Sequence, residues 1–145
     1  MSTYNNILIA VELIPEEDQI IIAKAKLIAE KFSGTLSLVH AVQDVSTYGT
    51  ASAYPAIADI EEEIMQEHKT ALTNLGTTLN IPNNRQFYDF GSPGRIITDT
   101  ATKINADLII VGSRSRHGIA LLLGSTADSI IHRANCDVIA VHLPE

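Results

Sequence analysis

The chain has 145 residues, of which 46% are hydrophobic and 5% aromatic, and its formal net charge is -7 at pH 7. This length fits one domain over residues 1–145, and an acidic surface disfavours nucleic-acid partners because it repels their phosphates. No secretory signal and no apolar stretch of about 20 residues is visible, which predicts a cytoplasmic protein without a membrane partner. The single cysteine, Cys136, excludes an internal disulfide and a cysteine-pair zinc motif.

The first third of the chain alternates between strand and helix patterns. The nearly continuous apolar run over residues 6–13 is typical of a strand that is covered on both faces, and Pro15 ends it. Apolar residues recur at helical spacing over residues 16–32, and Ser33-Gly34 favours the end of that helix. A second apolar run over residues 35–42 predicts the second strand.

The rest of the chain continues this alternation. A polar loop of small residues is expected over residues 43–55, and Ser92-Pro93 provides an N-cap and a first-turn proline for the third helix. The remaining elements follow from periodicity: a long helix over residues 56–79, strands over 85–90, 106–112 and 137–143, and helices over 93–104 and 125–134.

This order predicts an α/β fold: a single doubly wound domain with a five-stranded parallel sheet, helices on both faces and right-handed crossovers. Ligands of such sheets bind outside the carboxyl ends of the strands, where the strand order reverses. Two strand orders remain open at this point. In the order 3-2-1-4-5 the crevice is flanked by residues 12–15 and 112–125, whereas in the order 2-1-3-4-5 it faces residues 89–92.

The segment after the fourth strand has features of a phosphate site. Gly112 ends a buried strand, and Gly124-Ser125 opens a helix, whose unpaired amides and positive dipole end attract anions. The combination suits a triphosphate. Three basic side chains add local positive charge to an otherwise acidic chain: Arg114, Arg116 and His117.

A helix cap is the alternative for the same residues. Ser125 and Asp128 have the spacing of a capping box, in which the Ser125 hydroxyl accepts from the Asp128 amide and the Asp128 carboxylate returns to the cap. A closed cap leaves fewer donors for a phosphate. Elsewhere, His40 at a strand end is expected to be structural, and the histidines lack a zinc-ligand spacing.

Four stretches resemble the universal stress protein family, and its UspA-like branch in particular. They are NILIAVELIPE at the start, LSLVHAV in the second strand, GSPGRII before the third helix and ADLIIVGSRSRHGIALLLGSTADSIIHRANCDVIAVH at the end. Together they cover essentially the whole chain, in order and at family spacing. The resemblance implies the strand order 3-2-1-4-5, the Rossmann-like fold of adenine nucleotide alpha hydrolases, and a cytoplasmic stress-response protein that is usually a homodimer.

In nucleotide-binding members of this family the pattern after strand four is Gly-x2-Gly-x9-Gly-(Ser/Thr). Here it is Gly112-x2-Ser115-x8-Gly124-Ser125, so a serine replaces the second glycine and the spacer is shorter. The family's aspartate at the end of strand one is replaced by Glu12, and its backbone contact to adenine falls at Ala41. The resemblance implies ATP as the ligand, accompanied by Mg²⁺, and these binding residues: Ala10, Val11, Glu12, Ala41, Val111, Gly112, Ser113, Arg114, Ser115, Gly124, Ser125 and Thr126.

Two functions follow from this resemblance. The first is a stress-response module that binds ATP between strands one and four and acts through dimerisation and unidentified protein partners. The alternative is a UspA-type stress or signalling interaction protein that binds no nucleotide, because branches of the family differ in this respect. The sequence shows no recognisable combination of catalytic base and nucleophile. At most, it predicts slow ATP hydrolysis as an enzymatic activity.

The last predicted strand, from Asp137 to Leu143, contains no proline or lysine that would protect a sheet edge. In the implied order it is an outer strand, and unprotected edges tend to be paired. Together with the family's habit, this predicts a two-fold homodimer through antiparallel pairing of this strand with its copy.

Overall fold

The computed structural model describes residues 3–42, 55–114 and 124–144, with the backbone alone for residues 55–58. The strands of this part are β1 Asn6–Ala10, β2 Thr35–Val42, β3 Gln86–Phe90, β4 Leu108–Ser113 and β5 Asp137–His142. Its helices are α1 Pro15–Phe32, α2 Pro55–Leu79, α3 Pro93–Lys103 and α4 Ser125–Arg133, and a short 3-10 turn, Asn83–Arg85, precedes β3. The predicted alternation is confirmed. The largest difference is at the end of β1, where the predicted run continues to Leu13.

The five strands form one parallel sheet in the order β3-β2-β1-β4-β5. The order 3-2-1-4-5 is therefore correct, and the alternative 2-1-3-4-5 is wrong. β1 lies at the centre, where Ile7 pairs with Leu36 of β2 on one side and with Leu108 of β4 on the other. Because the order reverses between β1 and β4, the ligand crevice of such folds lies at the carboxyl ends of these two strands.

Alternate residues of the central strand face two separate hydrophobic clusters. Ile7 and Ile9 belong to a cluster with residues of α1 and α2, and both side chains are fully buried. Leu8 and Ala10 belong to a cluster with residues of α3 and α4 on the opposite face. Since both faces of β1 are covered, its sequence is continuously apolar rather than alternating.

Helix α1 begins and ends where the sequence predicts, with one difference at its end. Pro15 occupies the first helical position, where its missing N–H costs nothing. Ser33, not the glycine that follows it, has the left-handed conformation, with a φ of 56°. Gly34 is required for another reason, because a Cβ there would lie 2.6 Å from the carbonyl oxygen of Tyr4.

The other local expectations have mixed outcomes. Ser92 is the N-cap of α3 and Pro93 its first residue, as predicted, but within the described residues no side chain makes a capping bond there. Of the loop predicted over residues 43–55, residues 43–54 lie outside the described residues, and Pro55 is the first residue of α2. Cys136 is a partly buried free cysteine, and burial raises the pKa of its thiol. Over the described ranges, no helix is both long enough and apolar enough to cross a membrane.

Candidate functional site

Two chain segments leave the carboxyl edge of the sheet side by side. One is the β1–α1 turn, residues 11–14, and the other follows β4 at Arg114 and is described again from Gly124, at the start of α4. Because β1 and β4 are paired neighbours, these segments flank one crevice. Three of the predicted site residues, Ser115, Arg116 and His117, lie outside the described residues.

The β1–α1 turn is held by a buried carboxylate of the protein itself. Asp18, in the first turn of α1, is 4% exposed and accepts a hydrogen bond from the Glu12 amide at 3.0 Å. The amides of Leu13 and Ile14 also hydrogen-bond to this carboxylate. Leu13 adopts the left-handed conformation, with a φ of 61°. The turn therefore forms an anion-binding nest whose anion is Asp18.

The two carboxylates of this turn are electrostatically linked. Burial raises the pKa of Asp18, and the hydrogen bonds from the backbone amides oppose this rise. Desolvation by the surrounding protein atoms also raises the pKa of Glu12, and the negative charge of Asp18 adds to the effect. The side chain of Glu12 still has an exposed surface. It is thus a carboxyl group that favours a proton or a hydrogen-bond donor, such as a hydroxyl group, beside it.

Gly112 and Ser113 hold the end of β4 against its neighbours. A Cβ on Gly112 would lie 2.7 Å from Leu143 Cδ1 and 2.8 Å from Ile21 Cδ1, so close packing by itself accounts for the glycine. Ser113 is 7% exposed, and its Oγ accepts a hydrogen bond from the Gly124 amide at 3.2 Å. This bond joins the start of α4 to the end of β4.

Gly124 is the N-cap of α4, and Ser125 is the first helical residue. The predicted capping box is therefore wrong. With Gly124 as the cap, the third helical position belongs to Ala127, which has no carboxylate to return to the cap. The Asp128 amide donates to the Gly124 carbonyl oxygen at 2.9 Å, and its carboxylate lies 3.5 Å from His132 Nδ1. Among the described residues no side chain caps α4, so its first-turn amides keep their capacity to donate.

An ion pair connects the two sides of the crevice. Arg114, directly after β4, pairs with Glu17 in the first turn of α1. The Arg114 side chain is 52% exposed and the Glu17 side chain 20% exposed, which places the pair at the rim. The guanidinium charge that the sequence predicts beside a phosphate is thus compensated by a carboxylate.

The remaining predicted residues differ in what they present. Ser125 is exposed and Thr126 half-buried at the start of α4. Ala41 is partly buried on β2, one strand away from the β1–β4 boundary. The other three are at most 5% exposed: Ala10, Val11 and Val111. Ala10 and Val111 pair with neighbouring strands, and the Val11 amide donates to the Val39 carbonyl oxygen.

Sequence reasoning missed the side chains that fix the β1 side of the crevice. Asp18 looks like one of several acids at a helix start, because Glu16 and Glu17 precede it. His40 of β2 was expected to be structural, and it is 4% exposed. Its Nδ1 lies 2.8 Å from the Val11 carbonyl oxygen, and its Nε2 lies 2.7 Å from Nδ1 of His68 on α2. The only sequence signal for this contact is a histidine within an otherwise apolar strand.

Comparison with known proteins gives a consistent result over the whole chain. The profile described as the universal stress protein family matches residues 3–142. Universal stress protein A homolog 2 of Coxiella burnetii is 39% identical over 143 residues, which cover 99% of this chain and 98% of that protein.

Solved structures of such proteins share the fold. Universal stress protein UspA from Lactobacillus plantarum superimposes with a TM-score of 0.74 at 23% identity, over 95% of this chain and 97% of that one. A universal stress protein from Archaeoglobus fulgidus in complex with dAMP gives a TM-score of 0.62 at 20% identity, over 95% and 98% of the two chains. Another universal stress protein, in complex with cAMP, gives 0.59 at 21% identity, over 97% and 98%.

Proposed function

We propose, since this chain belongs to the universal stress protein family, that it is a cytoplasmic stress-response module which binds an adenine nucleotide in the crevice between β1 and β4. ATP with Mg²⁺ is the specific ligand of this proposal. Glu12 faces the nucleoside hydroxyls, and the start of α4 receives the phosphates.

The observation that carries this proposal is the N-terminus of α4. Gly124 caps the helix without a side-chain bond, and Ser125 is exposed at its first position. A phosphate there meets the positive end of the helix dipole and first-turn amides that no side chain of the described residues caps. A Cβ on Gly124 would lie 3.1 Å from the Arg114 backbone nitrogen, so the glycine lets the start of α4 pack closely against the end of β4.

The ligands of related structures support the same chemistry. Universal stress proteins with this fold have been solved with dAMP and with cAMP, and both ligands combine an adenine with a single phosphate. The Glu12 carboxyl favours a hydroxyl donor because its pKa is raised by desolvation and by the charge of Asp18. A nucleoside hydroxyl supplies such a donor.

The test is calorimetric titration of nucleotide-free protein with ATP and MgCl₂. We expect micromolar binding that Ser125→Asp weakens at least tenfold, because the added carboxylate occupies the anion position. An aspartate in a first helical turn favours the helix itself, so the variant is expected to fold. The control is Asn83→Asp, which adds the same charge before β3, at the opposite edge of the sheet. Absence of binding by the folded native protein contradicts the proposal, and equal weakening by both variants shows a bulk charge effect.

A second function, an interaction protein without a nucleotide, is favoured by a different observation. The Gly124 amide already bonds to Ser113 Oγ, and Arg114 already pairs with Glu17, so donors of the crevice are engaged by the protein itself. In this case the activity depends on a homodimer and on protein partners. β5 is an outer strand of the sheet, which is the position that the proposed dimer requires.

The dimer is tested with proline variants at two consecutive positions, Ile139 and Ala140. Successive amides of a strand point to opposite sides, so one proline breaks a bond to β4 while the other removes only an outward donor. We expect the variant that stays folded to be monomeric by light scattering, while the native chain is dimeric. A native monomer, or a folded dimer in both variants, contradicts pairing through β5.

A further inference from the structure

His40 and His68 form a direct imidazole pair between the sheet and α2. The facing nitrogens, His40 Nε2 and His68 Nδ1, are 2.7 Å apart. The ring centroids are 4.9 Å apart and the ring planes differ by 18°. Since the nitrogens are so much closer than the centroids, the rings meet edge to edge and nearly coplanar, which is the geometry of an N–H···N hydrogen bond.

The protons of this pair can be assigned from its third partner. The carbonyl oxygen of Val11 only accepts hydrogen bonds, so His40 Nδ1, 2.8 Å away, carries a proton. In the neutral pair, His40 Nε2 is therefore the acceptor and His68 Nδ1 the donor. One added proton leaves the contact intact, because a singly charged pair still has one donor and one acceptor between the rings. A second proton puts an N–H on both facing nitrogens, and the bond is lost.

We propose that the His40–His68 pair is a proton-sensitive latch beside the β1–α1 turn: it accepts one added proton at most, and a second added proton releases α2 from His40, the side chain that binds Val11 at the end of β1. His40 and His68 are positioning residues in this proposal, since neither needs to touch a ligand. Val11 directly precedes Glu12, so the latch acts on the turn that lines the crevice. Its regulation of nucleotide binding rests on the function proposed above.

Burial and charge around the pair agree with this limit. Burial lowers the pKa of His40, the bond to Val11 raises it by less, and the charge of His68 lowers it further. Among the described residues, the other titratable groups on this side come from three elements. Tyr88 of β3 is the register partner of His40, Glu12 lies in the β1–α1 turn, and Asp18 lies in the first turn of α1.

The direction of the pH effect follows from the lowered pKa. The unfolded chain protonates both imidazoles near the ordinary histidine pKa of about 6.5, whereas the folded chain resists the second proton. Stability that depends on the pair is thus present above about pH 6.5 and is lost as the pH falls below it. One extra proton in the unfolded state raises the unfolding constant by about tenfold for each pH unit of this range.

The matched variant is His68→Asn, with His132→Asn as the control. An asparagine amide donates to neutral His40, and after rotation its oxygen accepts from protonated His40, so no second charge arises. Denaturant unfolding is measured between pH 7.5 and pH 5. We expect the unfolding constant of the native protein to rise up to about tenfold more per pH unit than that of His68→Asn. His132 is exposed on α4 and lies outside the pair. The His132→Asn variant should therefore show the same pH dependence of the unfolding constant as the native protein.

One further measurement keeps the proposal testable if His68→Asn fails to fold. Nitrogen NMR of the native imidazoles at pH 7.5 should show His40 protonated at Nδ1, and His40 protonated only at Nε2 overturns the latch. Equal pH slopes in native and variant protein also overturn it. Both readouts use the protein without nucleotide, so a failure of nucleotide binding does not affect them.

The regulatory step is tested with ATP and MgCl₂ at pH 7.5 and pH 5.5. Protonation of the nucleotide is common to both proteins, so the ratio of their dissociation constants isolates the latch. We expect the native protein to lose several-fold more affinity at pH 5.5 than His68→Asn. An unchanged ratio overturns the regulation while leaving nucleotide binding itself intact.

Discussion

The two segments that flank the crevice differ in what accepts hydrogen bonds from their backbone amides. The β1–α1 turn directs its amides at Asp18, and His40 holds the Val11 carbonyl. At the start of α4, by contrast, the described residues provide one side-chain acceptor, Ser113 Oγ for the Gly124 amide, and no side-chain cap. In the β1–α1 turn the protein supplies its own anion, whereas the described residues supply none at the start of α4.

This difference bears on how the proposed nucleotide would lie in the crevice. A phosphate at the β1–α1 turn would compete with Asp18, whose buried carboxylate repels it, whereas Glu12 on the same turn suits a hydroxyl. The start of α4 offers amides and a positive dipole end. For the proposed nucleotide we therefore expect the nucleoside to lie toward β1 and the phosphates toward α4.

The largest expected effect on stability comes from substitutions in the β1–α1 turn. Asp18→Ala removes the buried acceptor of three backbone amides, and we expect it to lower the free energy of unfolding by about 3 kcal/mol. Asp18→Asn, which keeps one acceptor oxygen, should fall between this variant and the native protein. The control is Glu16→Ala, an exposed acid in the same helical turn, with an expected change of at most about 0.5 kcal/mol. Urea denaturation checks all three, and equal effects of Asp18→Ala and Glu16→Ala would show that the turn is not closed by Asp18.

The smallest expected effect on stability comes from a substitution at the start of α4. Replacing a helix-capping serine by alanine lowers the free energy of unfolding by about 1 kcal/mol. Ser125 is not the cap, so we expect Ser125→Ala to change the free energy of unfolding by less than about 0.5 kcal/mol. Its amide stays in place, and nucleotide affinity should remain close to native, in contrast to Ser125→Asp. A loss of a full 1 kcal/mol in thermal or urea unfolding would restore the capping box and remove the contrast between the two turns.

Much of the fold could be predicted because its determinants are local. β1 and β4 are buried on both faces, so each forms an apolar run that few other elements produce. β3 lies at a sheet edge, and its partly exposed pattern explains why its sequence is less apolar. The strand order could not be predicted in this way, because periodicity left two orders open and only the family resemblance selected the correct one.

The candidate site was less predictable because its contacts join distant residues. Gly124-Ser125 was recognised as a helix start, but which of the two is the cap depends on backbone geometry that the sequence does not encode locally. The His40–His68 contact joins a strand to a helix 28 residues later. Arg114 looked available to a ligand until its partner, Glu17, was known to lie across the crevice.

The central position of β1 also has a consequence for how the chain is made. During synthesis, Ile7 precedes its partner Leu108 on β4 by 101 residues. At a synthesis rate of about 5–20 residues per second, that partner arrives roughly 5–20 s afterwards. For this interval the buried apolar residues 7–10 of β1 have an unpaired edge toward β4, so the nascent chain presents a template for wrong pairing that the finished sheet conceals.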